Sequence, residues 1–274
     1  MITLTKQESM KQAAIEFANG APIQLVMEKY NVCYASIYNA IKKFNIPYKK
    51  SYGRTIFFDE DFFECIDSEL KAYWLGFIMA DGNVSTHRVR INAGEKDRED
   101  LILFMQHINH SGKLGVQIQE NSYAGTPIYH VRCNSHKMIQ DLINLGCLPQ
   151  KTGHSSLPHL SKHLIHHFIR GYFDGDGSIS IYKQEDKRAP HYPDRIKQEF
   201  AITSDRNILT EIQEILVNQC ILPYTTLKSY KNTTKAVSLR YGGKQQISRI
   251  YNYLYKDANV YLPRKYKKFS LLFS

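Results

Sequence analysis

The sequence predicts an α+β protein in which a small all-α segment precedes two copies of one α+β unit. Three observations lead to this prediction. Two nine-residue stretches, 74–82 and 169–177, each run from an apolar helix end into an aspartate followed by a glycine. The residues downstream of the two stretches match in order and spacing. Residues 1–54 lack this pattern and instead repeat apolar positions at helical spacing.

Length, charge and cysteine content limit the classes of protein to consider. The 274 residues hold 36 Lys and Arg against 26 Asp and Glu, a formal net charge of +10 that suits a polyanionic partner. No run approaches the roughly 20 apolar residues of a membrane helix, and no targeting signal is seen. We therefore expect an intracellular, cytoplasmic protein of bacterial or phage-like kind. Five scattered cysteines without a CxxC pair argue against a disulfide framework or a zinc ribbon.

The N-terminal segment carries half of the net charge and resembles a helix-turn-helix of recombinase and repressor DNA-binding domains. Apolar positions recur at helical spacing over 10–17, 23–30 and 35–44, and Asn31 suits the left-handed turn between the second and third helices. The third helix presents polar and cationic side chains that suit base edges and phosphates. These candidate DNA-binding residues are Ser36, Asn39, Lys42 and Lys43. The alternative is a small helical bundle that packs on its neighbour and touches no DNA.

The internal repeat sets the predicted domains. Asp97 lies 35 residues before Arg132, and Asp205 lies 35 residues before Arg240. Each copy follows the order helix, hairpin, helix, hairpin, helix, so two copies predict a pseudo-twofold molecule. The predicted domains are 1–54 for the helix-turn-helix module with its basic linker, 55–155 for the first copy and 156–274 for the second. The first hairpin of the second copy is longer, with extra residues around 183–195.

The two motif stretches and the repeat resemble the paired signature of the LAGLIDADG homing endonucleases of the two-motif, monomeric type. The resemblance covers 59–274, although Met79 stands where the second copy has Asp174. It implies tandem αββαββα units that form a β-saddle over double-stranded DNA. It also implies a site-specific double-strand endonuclease that acts as a monomer on a long specific site.

The two motif helices carry small residues where they would pack together. Gly76 and Ala80, and likewise Gly171 and Gly175, lie four residues apart on one helix face, so two backbones approach closely there. Their carboxyl ends would then meet, and two carboxylates about 4 Å apart repel by roughly 4 kcal/mol at an effective dielectric of about 20.

A divalent cation would compensate that repulsion. Mg²⁺ binds one or two carboxylates together with phosphate oxygens and lowers the pKa of an attacking water, and Mn²⁺ is expected to substitute. The predicted metal site comprises Asp81, Asp176 and the adjacent glycines Gly82 and Gly177, which leave room for a phosphate backbone. The alternative for a single Asp-Gly pair is that it only caps a helix and starts a turn. Two such pairs at matched positions of the repeat argue against this alternative.

The resemblance also implies a basic residue near the last helix of each unit that activates or orients water. Lys151 and Lys265 occupy these matched positions, each in a Leu-Pro-x-Lys sequence. Together with Asp81 and Asp176 they are the candidate catalytic residues. An ordinary surface lysine remains the alternative at both positions.

The alternation of apolar and polar residues along the predicted strands identifies further candidate DNA-binding side chains. Apolar positions such as Ile91, Val116, Ile118 and Ile179 would face the helices, and polar positions between them would face the other side. Arginine reads guanine and glutamine reads adenine in a major groove, whereas polar residues also face water on any half-exposed sheet. The candidate DNA-binding strand residues are Arg90, Gln117, Gln119, Arg132, Tyr182, Lys197, Lys228 and Arg240.

The sequence thus predicts a metal-dependent DNA endonuclease. Two alternatives stay open: a DNA-binding transcription regulator of the same fold that has lost cleavage, and an RNA maturase that assists intron splicing.

Overall fold

The structure is a computed structural model, and it describes residues 5–19, 21, 23–48, 56–118, 126–149, 156–184, 195–229 and 236–272. The chain divides into two compact units, Met1–Thr55 and Ile56–Ser274. The second unit holds both predicted α+β copies in one body. The predicted boundary between the copies, at 155 and 156, adjoins residues 150–155, which lie outside the described residues, and stays a prediction.

The first unit is all-α. Its helices are α1 (Lys6–Ala18), α2 (Ile23–Tyr30) and α3 (Tyr34–Lys43). Thr5 and Glu8 start α1 with a capping box, in which the Thr5 hydroxyl accepts from the Glu8 N–H and the Glu8 carboxylate accepts from the Thr5 N–H. A small core centred on Val26, Ile37 and Ile41 holds the three helices together.

A three-residue connection joins α2 to α3. Asn31 has φ of 47°, the left-handed conformation that lets the chain turn sharply into the next helix. This confirms the predicted turn and gives the first unit the helix order of a helix-turn-helix. DNA binding by this unit stays a prediction.

The second unit repeats one arrangement twice. The first copy comprises α4 (Glu69–Asp81), β1 (Asn83–Val84), β2 (Val89–Ala93), a short 3-10 turn (Glu95–Asp97), α5 (Arg98–His107), β3 (Gly115–Ile118), β4 (Pro127–Cys133) and α6 (His136–Asn144). The second copy comprises α7 (Ile165–Asp176), β5 (Gly177–Gln184), β6 (Arg195–Asp205), α8 (Arg206–Cys220), β7 (Lys228–Ser229), β8 (Ala236–Gly242), α9 (Lys244–Tyr255) and α10 (Pro263–Ser270). Both copies follow αββαββα, as predicted, and α10 follows the second.

Each copy forms a four-stranded antiparallel sheet, and the two sheets have equivalent orders, β1-β2-β4-β3 and β5-β6-β8-β7. Arg90 pairs with Arg132 in the first sheet, and Ala201 pairs with Arg240 in the second. Ala201 is therefore the positional counterpart of Arg90. The 3-10 turn between β2 and α5 has no counterpart between β6 and α8, so four residues (94–97) separate the strand from the helix in the first copy and none do in the second.

The helices α4 and α7 cross at two glycines. A Cβ added at Gly76 would collide with the carbonyl oxygen of Phe168, and one added at Gly171 would collide with the carbonyl oxygen of Tyr73. The two contacts are equivalent under the repeat, so the helices cross on a pseudo-twofold axis. The predicted small-residue contact is confirmed.

The second unit has one apolar core that both copies share. Buried side chains of α4 and α7 join those of both sheets in a single cluster. Val116 and Ile118 are an exception: they lie on the helix-facing side of their sheet, as predicted, but are 55% and 65% exposed, because β3 is an edge strand. Among the described residues, no helix combines the length and apolar character needed to cross a membrane.

Candidate active site

Asp81 and Asp176 are the last residues of the two crossing helices. Both side chains are exposed. A Cβ added at Gly175 would lie 2.5 Å from the Cβ of Ala80 and 3.4 Å from that of Asp81, so the ends of α4 and α7 are in contact. The structure thus brings the two predicted acids to one place on the surface of the unit.

Gly82 and Gly177 end the two helices in the same way. Their N–H groups donate to the carbonyls of Ile78 and Phe173, and both adopt extended backbone conformations. A Cβ at either glycine would collide with the preceding helical turn. The structure therefore gives these glycines a local packing reason, in addition to the room for phosphate that the sequence predicted.

Lys265 lies in α10 and caps the end of α7. Its ammonium donates to the carbonyls of Phe173 at 2.8 Å and Asp174 at 2.6 Å, with a longer contact to Gly175 at 3.4 Å. The residue is 5% exposed, and burial lowers the pKa of its ammonium to about 8. This position suits a cation that offsets the partial negative charge of the helix end next to Asp176. Lys151, the other candidate, lies outside the described residues.

Asp174 is a buried structural acid. Its carboxylate accepts from the hydroxyls of Tyr73 and Tyr255 at 3.0 and 2.7 Å and from the N–H of Leu262 at 2.8 Å. Burial raises the pKa of this carboxyl, and the hydrogen bonds oppose that rise. Asp174 ties the first copy to the second, whereas its counterpart Met79 is apolar.

A cavity of about 380 Å³ adjoins Asp81. Asp97, Asp100 and Arg264 contribute to its lining, and Arg264 forms a bidentate ion pair with Asp97 at 2.8 and 3.1 Å. Asp100 is 8% exposed, and its pKa is raised to about 7, first by burial and then by the charges of Asp97 and Asp174. Sequence reasoning missed Asp100, because an acid in the first turn of a helix is ordinary there.

The donor set at the two helix ends fits a hard cation shared with a substrate. Within the described part of the chain, no group of three or more His, Cys, Asp or Glu side chains is arranged to hold a metal ion. Two carboxylates from Asp81 and Asp176 suffice for Mg²⁺ only when phosphate oxygens and waters complete its shell, which is its usual mode of binding. The residues present therefore fit a metal that arrives with a phosphodiester.

The described candidate strand residues all lie on the sheet face that points away from the helices. In the first sheet, the pairing of Arg90 with Arg132 and of Gln117 with Ile128 sets this face. In the second sheet, Tyr182 pairs with Lys197, and Lys228 pairs with Ser238 on the strand that carries Arg240. The predicted alternation is confirmed for Arg90, Gln117, Arg132, Tyr182, Lys197, Lys228 and Arg240, and Gln119 lies outside the described residues.

Arg90, Gln117 and Arg240 have protein partners on that face. Arg90 Nη2 donates to Gln117 Oε1 at 3.1 Å. Arg240 Nη1 donates to Glu199 Oε1 at 3.1 Å, so its charge is already compensated. Arg88, at the end of the β1–β2 turn, adds a third arginine to the first sheet. Arg88 was not among the residues predicted to bind DNA, although it stands two residues before Arg90.

In the first unit, the candidate residues lie on α3. Asn39, Lys42 and Lys43 are exposed, and Ser36 is half-buried, with its hydroxyl 3.1 Å from Cys33 Sγ. Ser36, Asn39 and Lys43 line an open groove of about 400 Å³ together with Gln7 and Met10 of α1. The predicted outward face of the third helix is thus present.

Comparison with known proteins identifies the class of the second copy. The family model of the LAGLIDADG endonucleases matches residues 169–272, which contain the second motif, its sheet and Lys265. The match covers this part of the chain, and the first copy has the same order of helices and strands and an equivalent sheet order. No curated protein matches the sequence significantly.

Two solved structures with a TM-score of 0.50 show the same fold at low identity. A mutant form of the meganuclease I-SmaMI has a TM-score of 0.50 at 11% identity, covering 74% of this chain and 90% of its own. A double mutant of I-SmaMI has a TM-score of 0.50 at 11% identity, with coverages of 73% and 88%. The I-LtrWI LAGLIDADG homing endonuclease bound to target DNA has a TM-score of 0.49 at 13% identity, with coverages of 75% and 89%.

Proposed function

We propose that the protein is a site-specific double-strand DNA endonuclease that hydrolyses phosphodiester bonds with a divalent metal ion. The observation that carries the proposal is the pairing of Asp81 and Asp176 at the touching ends of two helices that cross at Gly76 and Gly171. Two exposed acids at a symmetric position next to two basic sheet faces suit a substrate with two antiparallel strands. The description of the matching family, an endonuclease, supports the same activity.

The chain's own residues divide the work. Asp81 and Asp176 would hold Mg²⁺ or Mn²⁺, and Lys265 keeps the end of α7 in place beside Asp176. When bound, the metal supplies an ionised water and stabilises the negative charge that develops on the leaving oxygen. The arginines and lysines of the sheet faces bind the phosphates on either side of the cut and hold the duplex across the acids.

Both acids belong to one chain, so the proposed enzyme works as a monomer, with each copy serving one strand. Two antiparallel sheets suit a long specific site, because each offers antiparallel strands to a major groove. The first unit would add contacts through Ser36, Asn39, Lys42 and Lys43 on its third helix.

The test is cleavage of a random duplex library by the full chain in Mg²⁺, with sequencing of the new ends. We expect Asp81→Asn and Asp176→Asn to bind the selected target about as tightly as the original chain and to cut it at least about a hundredfold more slowly, because an amide cannot supply an anionic ligand. Asp257→Asn is the matched control, since Asp257 is exposed and follows α9. EDTA should stop cleavage by the original chain.

Other outcomes would exclude the proposed mechanism or favour a different function. Full cleavage in EDTA, or unchanged rates in both variants, would exclude the proposed use of the acids. Specific duplex binding without any cleavage in Mg²⁺ or Mn²⁺ would favour the transcription regulator. Selective binding of structured intron RNA over duplex DNA would favour the maturase.

A further inference from the structure

Three arginines cluster on the open face of the first sheet, and no acidic side chain in the described part of the chain forms an ion pair with them. Arg90 lies directly opposite Arg132, and Arg88 precedes Arg90 by two residues. None of the four strands of this sheet, within their described bounds, contains an Asp or a Glu. Like charges directly opposite each other destabilise a sheet, so this face suits an electronegative partner in addition to the Gln117 amide oxygen that its own strands provide.

Arg90 itself has an unmet hydrogen-bonding group. Its Nε is buried and has no partner among the described residues, whereas its Nη2 is held by Gln117 at 3.1 Å. A buried donor without an acceptor costs about 1–3 kcal/mol. Burial lowers the pKa of the Arg90 guanidinium, and the nearby charges of Arg132 and Arg88 lower it further. The hydrogen bond to Gln117 therefore holds the guanidinium in one orientation.

The second sheet differs at the equivalent place. The counterpart of Arg90 is Ala201, which pairs with Arg240. Arg240 donates to Glu199 at 3.1 Å and to Ser238 at 3.1 Å, so an acid and a hydroxyl already satisfy its guanidinium. The pseudo-twofold symmetry of the backbone is thus broken in the chemistry of the two faces.

We infer that Arg90, oriented by Gln117 and backed by Arg132, reads a guanine in the half of the target that the first copy binds, and that the second copy has no equivalent contact. The inference rests on the proposed function. An arginine fork offers two donors that match O6 and N7 of guanine, and the hydrogen bond to Gln117 fixes its direction. Gln117 is then a positioning residue for Arg90, which replaces its expected role as a reader of adenine.

The guanine lies in the inner part of its half-site. Arg90 pairs with Asn83, which follows Asp81 by two residues, so the fork stands beside the start of the strand that leaves the candidate active site. Lys197 and Tyr182 stand near the far end of the long β5–β6 hairpin instead. The first copy is therefore expected to discriminate between base pairs close to the cleavage position.

The test uses the full chain and its selected target duplex, with binding measured in EDTA. Each base pair is replaced in turn, and we expect the original chain to prefer G·C at one inner position by about 5- to 150-fold, the range for one bidentate contact. Arg90→Lys keeps the positive charge but removes the two-donor guanidinium. This variant should therefore lose the preference for G·C at the inner position and keep the preferences at the other positions. Replacing the guanine by 7-deazaguanine should weaken DNA binding by the original chain. It should leave DNA binding by the Arg90→Lys variant unchanged.

Lys197→Ala is the comparison variant, because a flexible exposed lysine suits a phosphate. The Lys197→Ala variant should bind every DNA sequence more weakly by a similar factor. It should also reduce the slope of log affinity against log salt by about 0.9. If Arg90→Lys keeps the G·C preference, or if Arg90→Ala acts like Lys197→Ala, Arg90 is a phosphate anchor and the inference is overturned. If the original chain binds no duplex, the proposed function itself fails. Unchanged melting temperatures would show that the variants are folded.

Discussion

Arg170 and Glu69 form an ion pair that joins the two copies across 101 residues of chain, with Arg170 Nη2 donating to Glu69 Oε1 at 2.6 Å. The Arg170 side chain is fully buried, and its other nitrogens donate to the carbonyls of Val260 and Leu254 at 2.9 and 2.8 Å. Its counterpart in the first motif is Leu75, also buried. The contact between the copies is therefore symmetric at its glycines and asymmetric at this position.

Removing one partner of this pair should destabilise the second unit. We expect Arg170→Met to lower the free energy of unfolding by about 3–5 kcal/mol, because the Glu69 charge loses its cation and two buried carbonyls lose their donor. Urea unfolding measures the change. Lys137→Met is the matched control, since Lys137 makes three exposed ion pairs and its loss should have a much smaller effect. Equal effects of the two variants would contradict a structural role for Arg170.

The helix crossing makes a steric prediction. Gly171→Ala should lower the free energy of unfolding by at least about 1–3 kcal/mol, because its Cβ would overlap the backbone carbonyl of Tyr73, which cannot move aside. Gly94→Ala is the control: no atom lies within 4 Å of its added Cβ, and its φ is −75°. Thermal and urea unfolding should separate the two variants, and an unperturbed Gly171→Ala would mean that α4 and α7 lie farther apart.

Periodicity and the repeat predicted the features that depend on local sequence. The left-handed Asn31, the glycine faces of the two motif helices and the alternation of Arg90 and Arg132 with Ile91 and Val131 all follow from spacing along one element. Such features need no knowledge of which distant elements meet.

Features that depend on contacts between distant elements could not be predicted. Lys265 reaches Asp174 across 91 residues, and Arg264 reaches Asp97 across 167, so their burial and ion pairing come from the tertiary fold alone. The match in spacing between Asp97 and Asp205 also concealed the 3-10 turn of the first copy. That turn is why Arg90 faces Arg132 whereas Ala201 faces Arg240.

Asp100 makes a prediction about pH. Its folded-state pKa of about 7 lies above its ordinary value of 3.8, so the folded state binds its proton more tightly than the unfolded state does. The stability from this proton is complete below about pH 4 and is lost as pH rises through 7. Asp100→Asn should therefore raise the free energy of unfolding at pH 8 by up to about 4 kcal/mol, with a smaller gain towards pH 4.

Melting temperatures between pH 4.5 and 8.5 test this prediction, with Glu99→Gln as the control because Glu99 is the exposed neighbouring acid. His167 has its pKa lowered to about 4, mainly by burial, and its titration destabilises the fold as pH falls below about 6.5. This contribution is common to both proteins and cancels in their difference. A gain from Asp100→Asn that is independent of pH would show that Asp100 does not titrate in this range.

The first unit makes the last prediction, which separates DNA binding from cleavage. Its core, centred on Val26, Ile37 and Ile41, is separate from the shared core of the second unit, so a chain that begins at Ile56 should fold. Such a chain should bind its target at least about tenfold more weakly, a loss of about 1.4 kcal/mol, and protect a shorter stretch of DNA at one end. The cleavage position should not move, because Asp81 and Asp176 fix it.

Variants of the full chain test the same contact. The double variant Asn39→Ala and Lys42→Ala should shorten the protected stretch at the same end, whereas Gln12→Ala, an exposed change on α1, should not. If the shortened chain binds and cuts as tightly as the full chain, the first unit is a helical bundle without a DNA-binding role, and the polar face of α3 is ordinary solvent-exposed surface.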